Sequence, residues 1–275
     1  MVETLKFLLE TSPDTINCRD KHGTTVFQLA VRTDASCERV LPVLDVLLDG
    51  GVDRAMLNVQ VEFGVTVLHG AVLKHACCGG EHLMELLDVL IKNGADASVR
   101  NDKRRNVLHQ LAIDSRGKDL VNAAMLDILL ESVGVKDLDR WGCTALHYIV
   151  QNFSQINAVR HLISRGADVN MVNRFGDTPL HEVIRGTLAR GVDKRGHIEP
   201  MGREDVTKAL DDLVKVLQDA GASMDKPNRG GKTPPQIRDD IFEERRRLEE
   251  ARRQGRGRPK GGSSLQWVRG RQWRS

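Results

Sequence analysis

The sequence predicts an all-α solenoid, an elongated stack of short helix–turn–helix units followed by a charged, basic tail. Three observations lead to this prediction. A turn motif and a helix motif recur along the chain, each predicted helix is short, and aromatic residues make up only 4% of the 275 residues. Helices of about eight to ten residues are unstable alone in water, because even good helix formers need about 12–15. Their apolar faces must therefore be covered by neighbouring units, which produces a stack with contacts between adjacent repeats.

The turn motif opens each predicted unit and is clearest over residues 173–181, which read Asn-Arg-Phe-Gly-Asp-Thr-Pro-Leu-His. Gly176 allows the positive φ that a tight turn needs. Thr178 can cap the helix that follows, and Pro179 suits the first helical position, where its missing N–H costs nothing. Complete or degenerate copies occur at residues 23–28, 64–69, 106–109, 139–147 and 231–236.

The helix motif is an apolar helix that ends at a glycine. Over residues 159–170 the apolar side chains Val159, Leu162 and Ile163 follow helical spacing, and Gly166 can end the helix in the left-handed conformation. Related segments occur at residues 46–53, 87–96 and 213–223. The two motifs together describe a unit made of a turn, a helix, a second helix and another turn.

These motifs, Gly-x-Thr-Pro-Leu-His followed by Leu-Leu-x-x-Gly-Ala-Asp-Val-Asn, resemble the repeat of the ankyrin family. The resemblance runs from near the N-terminus to about Ile241 and implies an ankyrin-repeat solenoid of about five to six repeats within residues 1–242. Residues 243–275 are predicted to form a charged helix extension and a disordered basic tail. The predicted repeats are approximately residues 1–19 (partial), 20–58, 59–98, 101–136, 139–170, 173–225 and 228–242 (a partial, closing repeat).

Several features depart from the ankyrin pattern. Equivalent histidine or glutamine positions lie 34 to 55 residues apart, against about 33 in the family. The two clearest insertions are residues 74–81 and 186–204, and the second is rich in glycine and charge, so we expect a protruding loop there. Arg104 stands where the turn glycine of its repeat belongs, which predicts a distorted hairpin.

Helices are predicted at both ends of the array. Residues 1–10 read as the second helix of a repeat that lacks its first, so the chain is either a fragment of a longer array or presents an open apolar edge for contact. Residues 237–242 predict a closing helix. It should continue into residues 243–253, where Glu243 and Arg247 have the i,i+4 spacing of a helical ion pair.

The histidines and cysteines give little support for catalysis or metal binding. The ankyrin resemblance implies that a recurrent histidine braces the hairpin turn, because it occupies the same position in successive repeats: His69, His109, His147 and His181. Residues 75–82 group two histidines with Cys77 and Cys78. Adjacent cysteines do not suit a zinc site, which usually spaces them by about two to four residues.

Motifs of catalysis are missing from the sequence. The segment 230–233 resembles the end of a phosphate-binding loop, but the glycine that this loop needs five residues before Gly231 is Lys226. No nucleophile elbow, dinucleotide fingerprint or metalloprotease helix is present. We therefore predict a protein that is not an enzyme, with no catalytic residues, no cofactor, no metal and no small-molecule substrate.

Cysteine content and hydropathy bear on the compartment. The five cysteines are odd in number and suggest no disulfide framework. Neither a signal-peptide block nor an apolar run of about 20 residues occurs. We expect no membrane partner and an intracellular location, cytoplasmic, nuclear or both.

The predicted function is an adaptor that binds another protein on the concave surface formed by hairpin tips and first helices. Trp141 and Phe175 are attractive anchors, because exposed aromatic residues dominate many interfaces, although each can instead pack on a neighbouring hairpin. The candidate contact residues are the variable tip positions Lys21, His22, Glu62, Phe63, Lys103, Arg104, Arg140, Trp141, Arg174, Phe175 and Arg229.

The tail supports an alternative function. Residues 243–275 carry 11 Lys/Arg and 4 Asp/Glu, which leaves 30 and 34 for residues 1–242. The segment 256–260 resembles the core of an AT-hook, in which the glycine lets the backbone enter the narrow minor groove of A·T-rich DNA. The candidate DNA contacts are Arg256, Gly257, Arg258, Pro259 and Lys260. A solvated tail or a nuclear import signal explains the same residues equally well.

A third hypothesis concerns the whole chain. In this hypothesis the chain is a regulatory fragment of a larger multidomain enzyme.

Overall fold

A computed structural model of the protein describes residues 2–12, 17–32, 37–75, 80–115, 121–185, 190–192, 198–200 and 203–253. Helices dominate this part of the chain and form two rows. The row of first helices contains α2 (Val26–Arg32), α4 (Val67–His75), α6 (Val107–Asp114), α8 (Ala145–Ile149), α10 (Pro179–Arg185) and α12 (Pro234–Arg253). The second helices are α1 (Val2–Thr11), α3 (Cys37–Asp49), α5 (Gly80–Lys92), α7 (Ala123–Leu130), α9 (Ile156–Ser164) and α11 (Arg203–Asp219).

The helices stack in chain order. Each first helix contacts the next one along its row, from α2 through α12. The second helices α1 to α9 do the same, while α11 packs on α10 and on the 3₁₀ turn Phe153–Gln155. Each first helix from α2 to α10 also packs on the second helix of its own unit. The predicted solenoid is therefore confirmed.

One apolar core fills the space between the two rows. The leucine of the turn motif, or its equivalent, is 0–1% exposed in five successive units: Phe27, Leu68, Leu108, Leu146 and Leu180. Each such side chain contributes about 1.5–3 kcal/mol through burial. Helices this short depend on that contribution, because their own propensity cannot hold them.

Asparagine side chains link the repeats in the segments that lead from the second helices into the hairpins. The Asn58 side chain donates to Gly94 O (2.8 Å) and accepts from Asp96 N (2.7 Å). Asn170 repeats this arrangement with Gly221 O (2.8 Å) and Ser223 N (3.0 Å). These bonds satisfy backbone groups that a loop would otherwise leave to water.

The large insertion contains strands instead of a plain loop. Strand β1 (Arg190–Val192) pairs with β2 (Ile198–Pro200) in an antiparallel hairpin, with Gly191 opposite Glu199. The predicted all-α class is confirmed, and this short hairpin is a local addition within the insertion. Pairing gives the backbone N–H and C=O groups of an extended segment partners within the chain, which a loop lacks.

The prediction of a distorted hairpin at Arg104 was wrong. Arg104 adopts φ 57°, close to the φ 73° and 74° of Gly142 and Gly176 at the equivalent position. Its amide donates to Asn101 O (2.7 Å), which closes the turn. A non-glycine residue can occupy the left-handed region at a cost of about 1–2 kcal/mol, and here the hairpin keeps its shape at that cost.

The predicted terminal helices are both present. Helix α1 lies in the row of second helices against α3, with Leu5 and Leu9 packed on the core. Helix α12 runs without interruption from the closing segment into the charged extension, and Arg247 Nη2 lies 3.3 Å from Glu243 Oε2.

Candidate protein-binding surface

Six hairpins form a surface that we name the tip row: residues 20–24, 61–65, 101–105, 139–143, 173–177 and 228–232. Each hairpin is closed by a backbone bond from its first residue to its fifth, as from Asp139 N to Cys143 O (3.0 Å). The fourth residue has positive φ and its amide donates to the first carbonyl, as from Gly142 N to Asp139 O (3.1 Å).

An aspartate or asparagine at the first position folds five of the six hairpins. Asp139 Oδ1 accepts from Trp141 N (2.8 Å) and Cys143 N (3.0 Å). The same pair of bonds is made by Asp20, Asn101, Asn173 and Asn228. Side chains of this type favour such turns because they substitute for a backbone acceptor. The sequence contained this signal, an Asp or Asn three residues before the turn glycine or Arg104, but its role was not predicted.

The second hairpin lacks this side chain. Val61 occupies the first position, and the residue two places on, Phe63, adopts φ 63° and ψ 18°. Gly64 follows with φ 69°. The hairpin therefore holds an aromatic residue in a conformation that costs about 1–2 kcal/mol.

Neighbouring hairpins are bonded to one another through their backbones. Asp102 N donates to Phe63 O (3.1 Å), and Arg140 N donates to Lys103 O (2.9 Å). The series continues from Arg174 N to Trp141 O (2.8 Å) and from Arg229 N to Phe175 O (2.9 Å). The tip row is thus a continuous, hydrogen-bonded surface from the second hairpin to the sixth.

The recurrent histidines brace the tip row from below. In His147, Nδ1 lies 2.9 Å from Thr144 Oγ1 and Nε2 lies 3.3 Å from Asp177 O in the next hairpin. His69 and His181 join their own capping threonines to the carbonyls of Arg105 and Lys232. Each histidine therefore links one repeat to the next, as the ankyrin resemblance implied.

His109 and Gln28 complete the same series with different partners. His109 Nδ1 lies 2.6 Å from Asn106 Oδ1 and Nε2 lies 3.1 Å from Cys143 O. Gln28 accepts from Thr25 N (2.9 Å) and donates to Val65 O (3.3 Å). Glutamine thus satisfies both repeats without a titratable group.

Burial keeps these imidazoles neutral. Desolvation lowers the pKa of His69 and His181, and lowers the pKa of His147 to about 4. A neutral ring fits its bonds, because Thr144 N donates to Nδ1 (3.1 Å) while Nε2–H donates to a carbonyl. A buried neutral imidazole with these partners has a bracing role, because both ring nitrogens are engaged by its own cap and by the next hairpin.

A buried ion pair lies beneath the fourth hairpin. Arg105 Nε is 3.4 Å from Asp139 Oδ2, and both side chains are almost fully buried. The Tyr148 hydroxyl donates to the same carboxylate oxygen (2.5 Å). The Arg105 guanidinium lies 4.8 Å from the centre of the Trp141 ring. These contacts hold Trp141 half-buried against the core.

The fifth hairpin is also fixed by buried polar groups. Asn173 Nδ2 donates to Glu182 Oε1 (3.2 Å), and the Asp177 carboxylate accepts from Asn228 Nδ2 (2.7 Å) and pairs with Arg185. Burial raises the pKa of the Cys143 thiol far above its usual range, so this cysteine stays protonated and unreactive.

The predicted contact residues divide into two groups. Lys103, Trp141 and Phe175 are half-buried, so the alternative that the aromatic residues pack within the protein fits the structure better. Phe63 is the aromatic tip residue that projects, with 67% of its surface exposed. The remaining predicted residues are exposed: Lys21, His22, Glu62, Arg104, Arg140, Arg174 and Arg229.

The other candidate segments serve the fold or lie outside the described residues. His75 is buried, with Nε2 2.9 Å from Val31 O, and Cys77 and Cys78 lie outside the described residues. The phosphate-loop-like segment is the sixth hairpin, in which Gly231 has φ 72°. The predicted DNA contacts 256–260 also lie outside the described residues. Among the described helices, none is long and apolar enough to cross a bilayer.

Comparison with known proteins supports an ankyrin assignment. The family model for ankyrin repeats, in three copies, matches residues 73–173. An ankyrin repeat protein of variola virus, OPG189, is 33% identical over 119 residues, which is 43% of this chain and 20% of that protein. The chain therefore spans about a fifth of the length of this curated relative.

Two further proteins, one compared by sequence and one by structure, are also similar to this chain. The NAD-dependent deacetylase sir2B of Dictyostelium discoideum is 25% identical over 203 residues, covering 66% of this chain and 25% of the deacetylase. The ankyrin repeat domain of human ASB11 superimposes with a TM-score of 0.60 over 86% of each chain at 19% identity. This second likeness concerns the fold. Repeated hairpins, stacked helix pairs, bracing histidines and the match of residues 73–173 to the family model together show that the chain contains ankyrin repeats.

Proposed function

We propose that this protein is a non-catalytic adaptor that holds a protein partner on the concave surface formed by the tip row and the first helices. The observation that carries this proposal is the backbone ladder between successive hairpins. A surface built this way is preorganised, so a partner that docks on it does not have to order it first. The ankyrin fold is in general an interaction module, which agrees with this role.

The exposed side chains suit a protein partner. Phe63 projects from the second hairpin, and Leu29 on α2 and Leu73 on α4 are each 49% exposed along the row of first helices. Exposed apolar side chains and exposed arginines are the residue types that anchor many protein interfaces, and this surface carries both.

A matched pair of phenylalanines provides the test. Phe63 and Phe7 are 67% and 62% exposed, but Phe7 lies on α1, away from the tip row. Affinity purification with quantitative mass spectrometry would compare wild type, Phe63→Ala and Phe7→Ala. We expect Phe63→Ala to lose at least one specific partner that Phe7→Ala retains. If both variants retain every wild-type partner, the proposed surface is wrong.

A second proposed function is a DNA-associated adaptor inside the cell. Its support is the charge of residues 243–275, with 11 basic against 4 acidic groups. A gel-shift assay on A·T-rich duplex would compare the full chain with a chain that ends at Arg253. We expect the full chain to bind more tightly and with strong dependence on salt. Equal affinity of the two chains would contradict a role for the segment 256–260.

A third proposal makes the repeats a regulatory part of a larger enzyme. The partial similarity to a deacetylase that is several times longer supports it. Sequencing of complete transcripts would test this third proposal. An open reading frame that encodes this chain alone would contradict it.

A further inference from the structure

From the distribution of charge we infer that the tip row binds an extended acidic segment of another protein. This inference rests on the proposed function and names the chemistry of the partner. Four arginines carry it, each from a successive hairpin, and we name them the basic ridge: Arg104, Arg140, Arg174 and Arg229.

The basic ridge carries positive charge, whereas the rest of the array carries a net negative charge. Residues 1–242 contain 30 basic and 34 acidic residues, a net charge of −4. Of the exposed acidic tip residues, Glu62 lies in the second hairpin, before the ridge, and Asp102 shares the third hairpin with Arg104.

The ridge arginines are exposed, whereas the arginines beneath them are paired. Arg105 bonds Asp139, and Arg185 bonds Asp177. Within the described part of the chain, the ridge arginines form no ion pair. Their guanidinium groups are therefore available for carboxylates of a partner, which arginine binds in bidentate geometry.

The spacing of the ridge favours a polypeptide. The backbone bonds Arg140 N–Lys103 O, Arg174 N–Trp141 O and Arg229 N–Phe175 O keep these three arginines, each at the second position of its hairpin, in a fixed register. Packed helices lie about 8–10 Å apart, so successive tips share that spacing. A polyproline II segment advances about 3.1 Å per residue with three residues per turn, so every third side chain recurs on one face at about 9.3 Å. Acidic residues at every third position would therefore match Arg140, Arg174 and Arg229 one by one.

Nucleic acid fits the same surface less well. Single strands are held by bases that stack on exposed aromatic rings between basic groups. Trp141, which lies between the ridge arginines, is half-buried against Arg105. Phe175 is also half-buried. The basic ridge thus presents positive charge, but the aromatic rings beside it are not fully exposed for bases to stack on.

Fluorescence anisotropy with the full chain and labelled peptides tests the inference. The probes are five repeats of Glu-Pro-Pro, five repeats of Gln-Pro-Pro, and a single-stranded DNA 15-mer. The ridge variant is Arg140→Glu with Arg174→Glu. The control variant is Arg54→Glu with Arg160→Glu, two exposed arginines off the tip row that give the same change in net charge. The basic tail is identical in all three chains, so differences between them report on the ridge.

We expect the acidic peptide to bind wild type and the control variant with similar affinity, and the ridge variant at least about tenfold more weakly. The inference is overturned if the ridge and control variants bind alike, if Gln-Pro-Pro binds as tightly as Glu-Pro-Pro, or if the ridge-dependent ligand is the DNA. Loss of a cellular partner in Phe63→Ala alongside any of these results would show that the adaptor role stands and only the acidic chemistry is wrong.

Discussion

Two hairpin glycines share a left-handed backbone but differ in what surrounds them. A Cβ on Gly176, with φ 74°, would lie 2.6 Å from the backbone N of Arg229, whereas a Cβ on Gly231, with φ 72°, meets nothing within 4 Å. The Gly176 position combines a strained conformation with close approach to the next repeat. Gly231 has the strained conformation alone.

This difference predicts that a glycine-to-alanine substitution lowers the free energy of unfolding by different amounts at the two positions. Gly231→Ala should lower the free energy of unfolding by about 1 kcal/mol, the cost of a left-handed alanine. Gly176→Ala should cost about 3 kcal/mol or more, because the fifth and sixth hairpins must also separate. Urea denaturation of both variants measures the two values, and equal costs would contradict the close approach described above.

His147 should make the protein sensitive to acid. Its pKa falls from 6.5 to about 4 in the folded protein. Below pH 6.5 the unfolded chain binds a proton that the folded protein excludes, so stability falls as the pH drops toward 4. Between pH 7 and pH 5 this residue alone should remove about 2 kcal/mol from the free energy of unfolding.

His147→Gln tests this origin, because Gln28 already fills the same bridging role. At pH 7 the substitution should cost no more than about 1 kcal/mol, the net value of a typical hydrogen bond. Its loss of stability between pH 7 and pH 5 should be about 2 kcal/mol smaller than that of wild type. His22→Gln, at an exposed histidine, is the control and should keep the wild-type pH dependence.

At the scale of one element, the second hairpin is built less favourably than the others. Val61 supplies no side-chain acceptor at its first position, and Phe63 takes a left-handed conformation. Val61→Asn would give the amides of Phe63 and Val65 the acceptor that Asn101 gives in the third hairpin. We expect the free energy of unfolding to rise by about 1 kcal/mol, which thermal denaturation would detect.

The matched control substitutes an asparagine that already acts in this way. Asn101→Val removes the acceptor from the third hairpin and should destabilise the protein by about 1–2 kcal/mol. If Val61→Asn also destabilises the protein, the shape of the second hairpin is set by its packing and not by the missing side chain.

At the scale of the whole molecule, stability is shared between neighbours. In such arrays each repeat is held by the two that flank it, so damage in the centre spreads outward. Leu111 on α6 is fully buried, and α6 packs between α4 and α8. Leu111→Ala should therefore cost about 2–5 kcal/mol and leave a cavity at the centre of the stack.

Hydrogen exchange would show which neighbouring helices are destabilised by Leu111→Ala. We expect Leu111→Ala to speed amide exchange in α4 and α8 as well as in α6. Leu138→Ala, at a leucine that is 39% exposed, is the control and should change stability by less than about 0.5 kcal/mol. Faster exchange confined to α6 would mean that the repeats unfold independently.

The repeat and the order of the helices could be predicted from the residues through local rules: a threonine caps a helix, a glycine permits a turn, and short amphipathic helices require neighbours. The bracing role of the histidines was implied by the resemblance to the ankyrin family. The closing helix was also predictable, because charged helical spacing continues from residue 237 to residue 253 without a breaker.

The accessibility of each tip residue, and the shape of the turns that lack a typical residue, depended on the packing of neighbouring repeats. Trp141 and Phe175 were the preferred anchors, but both are half-buried, with Arg105 against the Trp141 ring, and Phe63 is the aromatic tip residue that projects. Arg104 keeps its turn without glycine because Asn101 and the bonded neighbouring tip hold it. Such outcomes depend on residues some 35 positions apart along the chain, and periodicity within one repeat carries no information about them.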